Sequence, residues 1–267
     1  MQRSKIGYQP LVTVVTVVYN AVDLIEATIK SVLGQSYSNL EYIVIDGGST
    51  DGTCAIIEQY KEKIACYVSE PDNGIYDAMN KGVKLSKGEW VNFMNAGDEF
   101  YNVRVIEDVM KVGPFASTVK VLYGDMCLKI QGQTDIIKHH NNINKNVVQY
   151  SLNHQSTFVN GDWMRSILYD TSFKIAADAN LFNETAKKGY DFQYVPVIVS
   201  NYEASNGVSS VNQLKMFREF VRIRRIKKYS LSWWRGYLKA QFFNLLHKLP
   251  LGMGDKALSE YIKFRIR

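Results

Sequence analysis

The sequence predicts an α/β fold: a mostly parallel, doubly wound sheet flanked by helices, followed by a helical, basic C-terminal extension. Three observations predict it. Leu11–Val18 (LVTVVTVV) is a continuous β-branched run, the pattern of a strand covered on both faces. Strand-like and helix-like segments then alternate as far as Tyr123, at the spacing of parallel crossover units. Charge is segregated: from Lys215 onward 14 basic residues accompany 3 acidic ones, whereas the first 214 residues carry 18 and 23.

The elements follow in order. After the first strand, Asp23-x-x-Glu26 reads as a capping box. Ile25, Ile29, Val32 and Leu33 follow at helical spacing, predicting a helix to about Gln35. Leu40–Ile45 is a second strand, ending at Asp46. Ser49, Thr50 and Asp51 offer caps for a second helix through Tyr60. Ile64–Ser69 is a third strand and Ile75–Leu85 a third helix. Trp90–Met94, Arg104–Lys111 and Val119–Tyr123 read as strand, helix and strand. After Asp125 the pattern turns irregular or antiparallel, with an Asn-rich stretch from Asn141 to Asn146, and from Val211 it is almost wholly helical. The expected division is a catalytic domain over 1–210, with a nucleotide-binding half (about 10–125) and an acceptor half (126–210), and an extension over 211–267.

Bulk properties narrow the class. A chain of 267 residues with 46% apolar and 22% charged residues and only 5 Pro is expected to fold as one domain with an elaboration. Cys54, Cys66 and Cys127 form no CxxC pair, which argues against a disulfide framework or zinc site and fits a reducing cytosol. The N-terminal apolar run is rich in Val and Thr and lacks a cleavage site, so it reads as a buried strand, not a signal peptide. No run approaches the roughly 20 apolar residues of a bilayer span.

Four stretches carry candidate chemistry. In VVYN, Tyr19 stands at the end of the first strand, where it either contacts a nucleoside or packs over the first helix. In IDGGSTDGT, Asp46 is placed to accept hydrogen bonds from a nucleoside, and the glycines permit close backbone approach. Ser49 and Asp51 read equally as helix caps. The loop after the first strand is YNAVDL, not GxGxxG, which disfavours a dinucleotide. The run Glu70–Asp98 (EPDNGIYDAMNKGVKLSKGEWVNFMNAGD) ends in a strand that breaks into Asn95-Ala-Gly-Asp98. A carboxylate at a strand's carboxyl end is where open α/β sheets hold ligands. Asp77, Asn80 and Lys81 on the preceding helix are positioned to face the same crevice. A single Asp98 with a ligand diphosphate suits Mg²⁺ or Mn²⁺; a turn Asp satisfying local amides is the alternative. Downstream, His154 and Gln155 (NHQSTF) and Asp178 (FKIAADANLF) complete the set. Asp178 precedes an apolar helix, where an N-cap would also stand.

These four stretches, in this order, resemble the inverting family 2 glycosyltransferases of GT-A fold, over roughly Pro10 to Ser210. SEPDNGIYDAMNKG and FMNAGD carry the likeness most specifically, and it is nearest to the bacterial subgroup that builds exopolysaccharide, capsule or colanic-acid-type repeat units. The resemblance implies that Tyr19 and Asp46 contact the nucleoside of a sugar nucleotide, that Asp77 and Asn95 lie in the donor pocket, and that Asp98 binds Mg²⁺ or Mn²⁺. It implies Asp178 as general base, with His154 and Gln155 lining the acceptor or diphosphate region, and a loop at Asn206-Gly-Val-Ser209 near the diphosphate. Three positions depart from the family's pattern: Asp46-Gly47 in place of an Asp pair, Asn95 in place of the first Asp of DxD, and Asp178-Ala-Asn180 after the base.

The tail interleaves Phe217, Phe220, Val221 and Ile223 with Arg218, Arg222, Arg224 and Arg225, and Trp233, Trp234, Phe242 and Phe243 follow. Basic and aromatic residues on helices suit an anionic membrane surface. A helix packed on the catalytic domain is the alternative, and no nucleic-acid motif accompanies the charge. The expected partners are therefore a nucleotide-diphosphate sugar, a saccharide acceptor on a lipid, and the inner face of the cell membrane, where the cytoplasmic protein associates peripherally. Two rival readings are a sugar nucleotidyltransferase, whose GxGTR-like loop is absent, and an inactive membrane-bound scaffold of the same fold.

Overall fold

A computed structural model describes residues 7–130, 133–137, 152–203 and 213–246. The elements in chain order are β1 (Val12–Val18), α1 (Val22–Leu33), β2 (Leu40–Asp46), α2 (Thr53–Glu58), β3 (Cys66–Ser69), α3 (Ile75–Leu85), β4 (Trp90–Phe93), β5 (Glu99–Phe100) and α4 (Val105–Met110). They continue with β6 (Val119–Ile130), β7 (Gln133–Ile137), β8 (Thr157–Asn160), α5 (Gly161–Ile167), α6 (Ala177–Lys187), β9 (Asp191–Glu203), α7 (Gln213–Ile223) and α8 (Leu231–Leu246).

The strands form one sheet in the order β3-β2-β1-β4-β8-β6-β9-β5, with β7 paired to β6. Strands β3, β2, β1 and β4 are mutually parallel. β8 runs antiparallel between β4 and β6, and β9 returns parallel to β6. All seven residues of β1 are buried. Val15 and Val17 pack toward α3 and α6, while Val12, Val14 and Val18 pack toward α1 and α4. The unbroken apolar run thus records a strand between two helical layers. At Gly82 of α3, a β-carbon would collide with Val15, so the glycine lets this helix lie directly on β1.

Several boundaries move. α1 ends at Leu33, α2 is a short helix followed by a 3-10 turn at Lys61–Lys63, and β3 begins at Cys66. The predicted capping box is absent: the N-cap of α1 is Ala21, with no side-chain bond. Its free N–H groups are served from outside, since Val22 N donates to Asp51 Oδ2 at 3.0 Å. Strand β6 runs past Tyr123 to Ile130, and the 13-residue β9 was not predicted at all. Pro196 argues against a central strand. The chain accommodates it at a break in register, where Tyr123 pairs with Tyr194 but Asp125 pairs with Ile198. Gly124 makes that bulge possible, because a β-carbon there would sit 2.5 Å from the Val197 carbonyl.

Helix α7 packs on the domain, burying Met216 and Ile223, the latter within the α3–α6 core. α8 lies against α7 through Trp233 and Tyr237, both in contact with Phe217. The Asn-rich stretch, the Asn206–Ser209 loop and residues 247–267 lie outside the described residues.

Candidate active site

The parallel strands bring Tyr19, Asp46, Ser69 and the Asn95–Asp98 turn to one sheet edge, beyond their carboxyl ends. The antiparallel insertion of β8 adds to the same edge. Val91 pairs with Val159, so the residues just before β8, His154 to Ser156, lie beside the turn that follows β4.

The loops after β1 and β2 are laced together. Asn20, in the left-handed region at φ 45°, donates its N–H to Ser49 Oγ (2.7 Å), and its Oδ1 accepts from Thr50 N (2.9 Å). Ala21 N donates to Thr53 Oγ1 at 3.0 Å. Asp51 serves α1 through Val22 and α2 through Thr53 N, also at 3.0 Å. Ser49 and Asp51 are therefore braces between loops. Asp46 Oδ2 gathers Gly48 N and Ser49 N (both 3.0 Å), Ser69 Oγ (2.7 Å) and Cys54 Sγ (3.3 Å). Burial would raise its pKa, but the hydrogen bonds from Ser49, Ser69 and Cys54 outweigh it and hold the carboxyl below its ordinary value. Its Oδ1 is buried with no partner, an acceptor fit for a ligand N–H or O–H. Tyr19 stands at the mouth, 64% exposed. The glycine at 47 has a steric reason: a β-carbon there would collide with the Asp72 carboxylate.

On α3 the predicted crevice residues divide. Asp77 accepts from Asn73 N (3.0 Å) and lines a cleft with Tyr76, Phe173 and Lys174. Asn80 does not face the crevice, while Lys81 is engaged by the loop after β3, donating to the Pro71 carbonyl at 2.9 Å. Asn80 is buried and bonds the Tyr169 backbone both ways, at 2.9 and 2.8 Å, while Lys81 pairs with Glu70 at 2.8 Å. Residues three and four apart share one side of a helix, but a rise of about 1.5 Å per residue sets Asn80 and Lys81 about 5 Å farther along it than Asp77, where they meet other neighbours.

The Asn95–Asp98 turn is closed by Asp98 N donating to Asn95 O (2.9 Å), with Gly97 at φ 96°. Thr28 pins it from α1, donating to Asp98 O at 2.8 Å. The Asp98 side chain is buried, and its Oδ2 accepts from Gln155 Nε2 at 2.9 Å. Burial raises its pKa to about 6, against the opposing charge of His154 and the Gln155 bond. From there a chain of contacts runs to Asp178. Asn95 Nδ2 lies 2.9 Å from His154 Nε2, and His154 Nδ1 lies 2.9 Å from Asp178 Oδ2. The Tyr76 hydroxyl lies 2.5 Å from Asp178 Oδ1 and 2.7 Å from the Ile175 carbonyl.

Asp178 is not an N-cap. Ala176 holds that place, and Asp178, one residue inside α6, turns its carboxylate to His154 and Tyr76. Burial works against its charge, but the bonds from His154 and Tyr76 prevail and keep its pKa below 3.8. Burial likewise opposes charge on His154, and the Asp178 bond and charge override it, raising the imidazole pKa. Asn95 suits either charge state of His154. A neutral His154 donating to Asp178 needs a donor at Nε2, which the Asn95 amide supplies, while an imidazolium needs an acceptor, which the same amide supplies when turned. Tyr76 was missed in the sequence, although its place with Met79 and Val83 on the buried stripe of α3 marks it as a hydroxyl carried into the core.

No cluster of three or more His, Cys, Asp or Glu able to hold a metal occurs among the described residues. Oxygen donors are nevertheless present. Beside the Asp98 carboxylate, Asn95 Oδ1 and Gln155 Oε1 are buried and unpartnered. A lone carboxylate with amide oxygens fits a hard divalent ion that takes its remaining ligands from a diphosphate and water.

Comparison with known proteins places this architecture. The profile described as "Glycosyl transferase family 2" matches residues 13–166. An uncharacterized glycosyltransferase of Mycobacterium tuberculosis is 33% identical over 177 residues, covering 63% of this chain and 66% of that one. The Escherichia coli enzyme named UDP-Glc:alpha-D-GlcNAc-diphosphoundecaprenol beta-1,3-glucosyltransferase WfaP is 32% identical over 114 residues, 42% of this chain and 44% of its own. The chain thus spans just under two thirds of the first relative's length and less than half of the second's. Among solved structures, a mannosyltransferase from Pyrobaculum calidifontis in complex with GDP-Man and Mn²⁺ superposes with a TM-score of 0.64 at 18% identity, over 95% of this chain and 74% of that one. The likeness establishes a shared GT-A-like fold.

Proposed function

The chain belongs to glycosyl transferase family 2, and from that premise we propose that it is an inverting glycosyltransferase. It moves a sugar from a nucleotide diphosphate to a hydroxyl of a lipid-linked saccharide acceptor in bacterial surface-polysaccharide synthesis, of the exopolysaccharide or colanic-acid type. The observation that carries the reading is a pair of neighbouring polar sets along one sheet edge, Gln155 with Asp98 and Asn95–His154–Asp178–Tyr76, with Asp46 beyond them. WfaP, whose name describes a diphosphoundecaprenol-linked acceptor, supports the lipid-linked class.

Asp46 offers its unpartnered Oδ1 to the nucleoside, and Tyr19 covers it. Asp98 would hold a Mg²⁺ or Mn²⁺ ion, with Asn95 Oδ1 and Gln155 Oε1 as neighbouring oxygens; such an ion offsets the charge of the departing diphosphate. Asp178 takes the proton of the acceptor hydroxyl as that oxygen attacks the anomeric carbon opposite the leaving group. Its depressed pKa keeps it ionised and ready to accept at neutral pH. His154 and Tyr76 orient it by occupying one lone pair on each oxygen, which leaves the others free. Screening nucleotide sugars for metal-dependent thermal stabilisation and slow hydrolysis tests the reading. Turnover of at least one donor, lost on chelation, is expected; binding without any hydrolysis or transfer would favour the scaffold.

The acceptor class calls for a membrane surface, and α8 supplies a fitting one. Leu231, Trp234, Leu238 and Phe242 recur at helical spacing with exposures of 69%, 44%, 62% and 57%, on a face that adjoins Trp233 and Tyr237, both of which Trp234 touches. Between Lys215 and Lys239, nine basic residues accompany one acidic residue. Such a face lies in an anionic lipid interface, with about 1 kcal/mol from each nearby Lys or Arg. Among the described residues no helix is long and apolar enough to cross a membrane, so attachment would be peripheral, at the cytoplasmic leaflet. Replacing the four stripe residues by Ser is expected to abolish flotation with phosphatidylserine-containing liposomes; equal flotation of both proteins would remove the stripe from the interface.

A further inference from the structure

We propose that Glu219, on helix α7 of the C-terminal extension, is a positioning residue for sugar transfer, holding the segment that delivers Asp178. The inference rests on the reading of Asp178 as general base. Among the basic residues of the tail from Lys215 to Lys239, Glu219 is the one acid, and its carboxylate is not spent on them. It instead accepts three successive backbone N–H groups: Lys174 N at 2.8 Å on Oε1, and Ile175 N (2.9 Å) and Ala176 N (2.8 Å) on Oε2.

These three residues lead directly into α6, whose N-cap, Ala176, has no side-chain acceptor of its own. The first N–H groups of a helix need partners, and an anion at that end is favoured by the helix dipole. Glu219 serves from another helix the N–H of the N-cap and those of the two residues before it, and so brings a negative charge to the helix start. Hydrogen bonds to an ionised acceptor are about twice as strong as neutral ones. The same segment is held from the other side, because the Ile175 carbonyl accepts from Tyr76, the residue that also bonds Asp178. Arg222, one turn along α7, lies 4.0 Å over the Phe173 ring and 3.4 Å from Asp170, fixing the strap upstream. The strap between α5 and α6 is thus clamped between α3 and α7, and Asp178 emerges from the clamp two residues after Ala176.

The consequence is a division of labour among the described residues of the extension: α7 belongs to the catalytic apparatus, and α8 presents the exposed stripe. If Glu219 sets the position of Asp178, removing it displaces the base without touching the donor site at Asp46. A displacement of about 1 Å at a reacting group costs on the order of 10²-fold in rate.

The test compares Glu219→Ala, Glu219→Gln and Asp178→Asn in the full chain, measuring transfer kinetics, nucleotide affinity and amide exchange over 171–178. Glu219→Ala is expected to lower kcat about 100-fold, leave nucleotide affinity and donor KM within about twofold, and expose the amides of 174–176 to exchange. Glu219→Gln can turn its one acceptor oxygen to Ile175 and Ala176, keeping two of the three bonds, and is expected to recover part of the rate. Wild-type kcat in Glu219→Ala would overturn the inference, as would equal loss of nucleotide affinity, which marks a general structural role. If Asp178→Asn transfers normally, the reading of the base has failed. If Asp178→Asn is inactive while Glu219→Ala is fully active, only the role of Glu219 has failed.

Discussion

Asp178→Asn is expected to lower the rate of sugar transfer by about 10²–10⁴-fold, the usual contribution of a positioned general base, while nucleotide affinity stays within about twofold of wild type. The hydrogen-bond network explains why the change is clean. Both Asp178 oxygens are acceptors, one from Tyr76 and one from His154. An Asn at this position keeps one acceptor and presents one donor. His154 can answer by moving its proton to Nε2, where the turned amide of Asn95 accepts it, and the phenol oxygen of Tyr76 can accept as well as donate. Turning Asn95 only exchanges its unpartnered Oδ1 for Nδ2, so the site rewires without adding an unpaired buried atom and the fold survives, but the group able to take a proton is gone. Loss in kcat with donor KM unchanged identifies an interaction made in the transition state. Transfer at the wild-type rate would remove Asp178 from the mechanism.

Asp98→Asn is expected to make the metal-free protein more stable at neutral pH and, at the same time, blind to divalent ions. A carboxyl moved from 3.8 to about 6 by burial is favoured in its neutral form by about 3 kcal/mol. Asp98 binds its proton more tightly in the folded chain than in the unfolded one. It therefore favours folding below about pH 4, and that contribution is lost as pH rises through about 6. At pH 7.5 the native protein carries a buried anion with one neutral donor, Gln155. An Asn keeps that bond and removes the charge, which should raise stability by about 1–3 kcal/mol, or roughly 2–4 °C in melting temperature per kcal/mol. The gain should vanish near pH 4.

The same charge attracts the cation. Stabilisation of the wild-type protein by Mn²⁺ with a nucleoside diphosphate should be present at pH 7.5, fade as Asp98 takes up its proton near pH 6, and be absent in Asp98→Asn. Denaturation curves at three pH values, with and without Mn²⁺, decide the matter. A variant less stable than wild type without metal, or one that keeps the metal response, would contradict the assignment. Stability given up at a buried carboxylate is expected at a site kept for function.

The sequence encodes legibly the α/β class, the parallel half of the sheet and the carboxylates that stand at its strand ends. Those properties are written locally: β-branched runs for covered strands, apolar residues at helical spacing, and acids where strands end, as at Asp46 and Asp98. It also marked the tail as basic and aromatic. Tertiary structure alone decided the partners. Asp51 was a local cap by sequence, but it closes α1 from the loop after β2, because the two loops share one edge. Asp178 also looked like a cap until β8, running antiparallel, brought His154 against it. Asn80 shared a helix with Asp77, and packing turned it to the backbone of Tyr169. Strand β9 stayed hidden because Pro196 is tolerated only at a bulge that Gly124, about seventy residues earlier, makes possible. The grip of Glu219 on the strap before Asp178 spans more than forty residues. Periodicity reaches only a few turns along the chain, whereas the orientation of the Asp178 carboxylate is set by groups that meet only once the sheet has formed.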